Sequence, residues 1–121
     1  MDDIYKLRQY DRQTAVVFQT SSLMNQGDVE RLKTDLLRMV DAEKHTRLIL
    51  DFTEVQFISS QVIGTLLSVH KRLAAAKSTD AGAELVLCGL RPQLLELLKI
   101  TRLDRLLKIK ATRKEAIVAA G

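Results

Sequence analysis

Two adjacent hydroxyls stand at residues 59 and 60, in the run FISSQVIG, where an apolar pair gives way to a helical pattern. Serine is a strong helix N-cap, because its side-chain oxygen can accept a backbone N–H that the first turn leaves without a partner. Serine is also a phosphoacceptor. A phosphate adds about −1.5 to −2 charges, and a helix N-terminus favours an anion through its free N–H groups and its dipole. With Ser59 as the N-cap, its oxygen accepting a backbone N–H, Ser60 is the first helical residue and its hydroxyl is left over. On pattern alone, capping outweighs modification.

The other reactive side chains are scattered. His45 sits among polar residues at a helix end and His70 beside a basic helix face, and neither belongs to a metal-ligand spacing. Cys88, in ELVLCGL, is the single thiol; it cannot form an internal disulfide and reads as a small buried residue on a strand. Asp51 ends the run RLILDF, where it suits backbone N–H groups of the next turn. Ser60, His70 and Asp51 make a triad by residue type only. The five glycines are isolated, so no phosphate-cradling loop exists, and neither serine lies in a G-x-S-x-G elbow. Neither a cofactor nor a metal is expected, and a small enzyme is the weakest reading.

These groups belong to a chain of 121 residues, enough for one domain with its own core. No apolar run approaches the roughly 18 residues of a membrane span, and MDDIYKLRQY has no apolar signal core. A cytoplasmic protein without a membrane partner is expected. Residues 1–60 hold 8 Lys+Arg and 10 Asp+Glu, while residues 61–121 hold 11 and 5, which returns the net charge of +4. A basic half suits an acidic protein partner or a nucleic acid. Tryptophan is absent, and Lys99, Arg102, Arg105, Lys108 and Lys110 have no aromatic residue among them. Single-stranded nucleic acid needs such stacking platforms, so a nucleic-acid partner is not expected.

The elements that must position the serines follow from periodicity. IYKLRQY and TAVVFQT, separated by Asp11, Arg12 and Gln13, predict a hairpin. After MNQGD, with Asp28 as a cap, Val29, Leu32, Leu36, Leu37, Met39 and Val40 recur at helical spacing and predict a helix of about four turns. RLILDF and ELVLCGL predict interior strands. Between them, Val62, Leu66, Val69 and Leu73 form the apolar row of a second helix, widened by Ile63 and Leu67, with Ser68, Lys71 and Arg72 facing away. Pro92 opens a third helix with Leu94, Leu95, Leu97 and Leu98 on its apolar side. RLLKIK predicts a short strand. Thr112 and Glu115 form a capping box for a last helix with Ala116, Ile117 and Ala120 inward. The order β-β-α-β-α-β-α-β-α predicts an α/β domain with a mixed sheet of four or five strands and about four helices.

LILDFTEVQFISSQVIGTLLSVHKRL resembles the central segment of STAS domains, the anti-sigma factor antagonist family, in which a strand and a turn lead to F-hydrophobic-D-S-S-G-hydrophobic-G at a helix start. ELVLCGLRPQLLELLKITRLDRLLKIKATRKEAI resembles the family's later strand, Pro-led helix and closing helix. The resemblance runs from about residue 13 to 120, within one domain over residues 1–121. It implies a bacterial partner-switching role: an unphosphorylated STAS protein binds a kinase-like anti-sigma factor, or a related histidine-kinase-like ATPase, the kinase phosphorylates the start of the second helix, and a phosphatase resets it. In this chain Phe57, Ile63 and Gly64 match the motif. Ser59 replaces the motif Asp, Ser60 takes the first Ser, Gln61 takes the second and usually phosphorylated Ser, and Val62 replaces the Gly. The resemblance therefore implies Ser60, then Ser59, as phosphorylation candidates, and a partner surface at Ser59, Ser60, Gln61, Ser68 and Lys71. A non-phosphorylatable scaffold with the same fold stays open.

Overall fold

Residues 4–11, 13–43, 45–79 and 82–120 are described by a computed structural model, with side chains up to Ile117. Five strands form one sheet in the order β1-β2-β4-β6-β7: Tyr5–Gln9, Thr14–Phe18, Arg47–Asp51, Glu84–Cys88 and Lys108–Lys110. β1 pairs antiparallel with β2, and every other pairing in this sheet is parallel. The expected hairpin and both interior strands are present, with β4 ending at Asp51 rather than Phe52.

The interior strands read as apolar runs because both faces of the sheet are covered. Successive side chains alternate between faces. Val16, Phe18, Leu48, Leu50, Leu85 and Leu87 join one core, while Ala15, Ile49, Val86 and Cys88 join the other. The first core is closed by α1 (Gln26–Asp41), α2 (Ser60–Ala76) and α3 (Pro92–Ile100), together with Leu103 and Leu107 around a single 3-10 turn at Leu103–Arg105. The second core is closed by α4 (Arg113–Ala120) through Ala116 and Ile117; the Ala120 side chain lies outside the described residues. Buried Gln13 donates to the Ile117 carbonyl at 2.8 Å, tying α4 to the β1–β2 turn.

The apolar row of α2 meets the sheet in the expected phase: Val62, Leu66, Val69 and Leu73 are each at most 2% exposed. Burial of one such side chain contributes about 1.5–3 kcal/mol, so the row fixes the rotation of the helix that carries the serines. Asp28 is not the cap of α1. The helix starts at Gln26, and Asn25 caps it by accepting the Asp28 N–H at 3.0 Å. Asp28 lies inside the first turn, where its charge still complements the helix dipole. At α4 the forward half of the capping box is formed, Thr112 accepting the Glu115 N–H at 3.2 Å, while Glu115 reaches past the cap to the Ala111 N–H at 3.2 Å.

One element has no counterpart in the sequence reading. β3 (Ser22–Leu23) and β5 (Phe57–Ile58) pair in parallel as a separate two-stranded sheet. Each strand has two residues, too short for periodicity to show.

Candidate functional site

β4 delivers the chain to the site through a turn held by Asp51. Its Oδ1 accepts from the Thr53 N–H at 2.9 Å and the Thr53 hydroxyl at 2.5 Å, as expected for a carboxylate at the start of a turn. The other oxygen faces Arg113, with Oδ2 and Nε 3.4 Å apart, a partner the sequence reading missed. Gly89 sits against this turn with φ +69°, and a Cβ there would lie 2.3 Å from Thr53 Oγ1.

From the turn, buried Val55 anchors the loop, and the Gln56 and Phe57 N–H groups donate to the Ser21 carbonyl at 2.7 and 3.1 Å. The Ser59 N–H donates to the Leu23 carbonyl at 3.1 Å. These bonds to the β3 segment aim the chain into α2. They also leave Phe57 58% exposed, and Met24, the residue after β3, is 55% exposed. Large apolar side chains in the open next to polar residues suit a protein interface.

Ser59 is the N-cap residue by position, with extended φ −90° and ψ 167°, but its side chain makes no capping bond. The expected bond from its hydroxyl to a backbone N–H is absent. The Val62 N–H donates instead to the Ser59 main-chain carbonyl at 3.0 Å, a 3-10-type closure that tightens the first turn. Ser59 Oγ is buried and has no hydrogen-bond partner among the described residues. Ser60 and Gln61 are exposed. The first turn of α2 holds no acidic side chain, so nothing on it opposes an added negative charge.

Gln61, Gly64, Thr65 and Ser68 make one stripe along α2. Facing Val29, Glu30 and Lys33 of α1, they line an open groove of about 370 Å³. Of the expected partner residues, Gln61 and Ser68 thus share the groove. Lys71 is exposed one turn beyond it, Ser60 stands at the mouth of the helix, and Ser59 turns its hydroxyl inward. The Arg72–Asp41 ion pair spans the far end of the two helices. Gly64 is exposed, and among the described residues nothing beyond its chain neighbours and its own helix backbone lies within 4 Å of where its Cβ would stand.

The remaining reactive groups do not assemble. His70 lies about 15 Å along the helix from Ser60 and lines a different groove. His45 is half-buried, with Nδ1 3.0 Å from Thr14 Oγ1 and Nε2 3.6 Å from Glu43. Cys88 is fully buried, and burial together with the nearby Asp51 charge pushes its thiol up to about 12. Among the described residues there is no cluster of metal-ligating side chains, and no helix is long and apolar enough to cross a membrane.

Comparison with known proteins agrees with this fold. The STAS domain family model matches residues 6–116. A candidate anti-sigma factor antagonist of Bordetella bronchiseptica, BtrV, is 29% identical over 97 residues, which cover 80% of this chain and 78% of the relative. Among solved structures, a STAS domain protein of Planctomyces limnophilus superimposes with a TM-score of 0.81 at 22% identity, over 97% of each chain. The phosphorylated form of the Bacillus cell fate determinant SpoIIAA superimposes with a TM-score of 0.73 at 19% identity, over 97% of this chain and 99% of that one.

Proposed function

Because the chain belongs to the STAS domain family and is anti-sigma factor antagonist-like, we propose that it is a regulatory protein-binding module switched by phosphorylation of Ser60. The family is non-enzymatic, so the chemistry falls to the partner. That partner is a kinase-like anti-sigma factor or a related histidine-kinase-like ATPase, and a phosphatase reverses its action. The observation that carries the reading is the contrast at the mouth of α2: the Ser60 residue is exposed on a first turn without acids, whereas the Ser59 hydroxyl is enclosed. A stable protein interface buries about 1,200–2,000 Å² in total. The docking face therefore extends from Ser60 and Gln61 along the α1–α2 groove to Ser68 and Lys71, and sideways over Met24 and Phe57. Two negative charges introduced at Ser60 lie inside that face, where an unpaired buried charge is costly.

The second reading is an unswitched scaffold. Gln61 favours it, because an amide holds the position that the family usually phosphorylates, and Ser60 is rotated about 100° from it around the helix. Incubation with the cognate kinase and ATP separates the two. Phosphate on the parent and on Ser59→Ala, but not on Ser60→Ala, is the expected result. No phosphate on any of the three, with partner binding intact, makes the scaffold the correct reading.

A further inference from the structure

The end of the sheet farthest from Ser60 carries a patch that the switch does not use. β4, β6 and β7 are parallel, so their first residues share one pole, where Arg47 is beside Glu84 and Val86 beside Lys108. α2 returns to that pole and finishes at Ala76, about 25 Å along its axis from Ser60. There the chain leaves Ile100 71% exposed and Leu106 55% exposed. Between them, residues 99–106 carry Lys99, Arg102 and Arg105 against Asp104, a net of +2. Leu106 and Lys77 border a groove of about 220 Å³ that also reaches Leu73, Ala83 and Leu85. Lys108, on the same groove, is already paired with Glu84 at 3.3 Å.

Arg102 adds an independent observation. It follows the last turn of α3 with φ 62° and ψ 17°, the left-handed position that glycine usually fills. A non-glycine residue there is strained, and Arg102 is exposed at this pole.

We propose that this pole is a second docking surface, for an acidic segment of a partner protein that inserts an apolar side chain into the groove beside Leu106. Charge complementarity selects an acidic occupant. The groove selects a protruding side chain, which a flat lipid headgroup surface does not offer. The patch has no aromatic residue, so bases find no stacking platform. At the opposite end of α2 from Ser60, this surface can stay occupied while the partner at the other pole is exchanged.

The test is titration of the full chain with a synthetic amphipathic helical peptide, leucines on one face and glutamates flanking them, followed by backbone amide NMR. Shifts confined to residues 70–77, 83–85 and 99–108 are expected. Affinity should fall about tenfold between about 50 and about 500 mM salt, and by about tenfold in Leu106→Glu and in Arg102→Gly. Thermal melting checks both variants; Arg102→Gly relieves the strained backbone and keeps the fold, so its loss of binding is not a loss of structure. The proposal is overturned by no shifts at millimolar peptide, by shifts spread over the surface, or by binding that both variants retain. It is equally overturned if phosphatidylglycerol vesicles or single-stranded RNA shift these amides where the peptide does not.

Discussion

Asp51 Oδ2 and Arg113 Nε lie 3.4 Å apart, joining the end of β4 to the first turn of α4 on the opposite face of the sheet. Asp51 is 4% exposed and also holds the Thr53 turn that feeds the loop to α2. Removing it takes away both Thr53 bonds and the charged partner of the Arg113 guanidinium. Asp51→Ala should therefore cost about 2–4 kcal/mol in denaturant unfolding. Arg113→Ala should cost about 1–3 kcal/mol, because it leaves a carboxylate that is only 6% exposed without its cation, although Asp51 keeps both bonds to Thr53.

Ser59→Ala reports directly on the N-cap. A working serine cap loses about 1 kcal/mol on change to alanine. Here the hydroxyl is buried without a partner among the described residues, and an unsatisfied buried hydroxyl is itself unfavourable. The substitution should leave stability unchanged or raise it by up to about 1 kcal/mol. A melting temperature clearly below that of the parent would refute this account of the first turn.

Two glycines should respond in opposite directions. Gly89→Ala forces a side chain into the left-handed region, with its Cβ 2.3 Å from Thr53 Oγ1 and 2.9 Å from Thr53 N; a loss of about 2 kcal/mol or more is expected. Gly64 stands inside α2 with open space around it, so Gly64→Ala should gain about 1 kcal/mol from helix propensity. The same methyl group narrows the groove proposed to receive the partner, and titration calorimetry should show weaker binding by the more stable protein.

Alkaline pH should weaken the fold through Cys88 and Tyr5. Burial, then the Asp51 charge, pushes the Cys88 thiol up to about 12. Burial, then the hydrogen bond to Asp35 at 2.7 Å, pushes the Tyr5 hydroxyl up to about 12. Both groups hold protons more tightly folded than unfolded, so their contribution is complete below the unfolded thiol value of about 8.5. It is lost as pH rises from there toward 12. Melting temperatures should fall over this window, and Cys88→Ala should flatten the fall. A thiol reagent at pH 8 should label Cys88 only after unfolding.

Several features were legible in the residues alone because their causes are local or periodic. The α2 phase followed from Val62, Leu66, Val69 and Leu73, since a wrong rotation would put that row in water. The interior positions of β4 and β6 followed from unbroken apolar runs, which only a sheet covered on both faces can bury. The forward half of the capping box, at Thr112 and Glu115, was readable because its partners are three residues apart. The motif around Ser59 and Ser60 pointed to the family for the same reason: its spacing is written along one short stretch.

Tertiary structure alone decided the rest, where the partners are far apart in sequence. The pairing of Ser22–Leu23 with Phe57–Ile58 spans more than thirty residues, and two-residue strands carry no period. The Asp51–Arg113 pair depends on α4 crossing to the other face of the sheet. At Asn25, a competing cap three residues before Asp28 took the role that residue type assigned to Asp28. Serine at position 59 says that a hydroxyl is available to cap α2. Whether it does so depends on the direction from which the chain enters the helix, and the Ser59 N–H bond to Leu23 sets that direction. The hydroxyl is turned inward, and Ser60 is left to face the solvent.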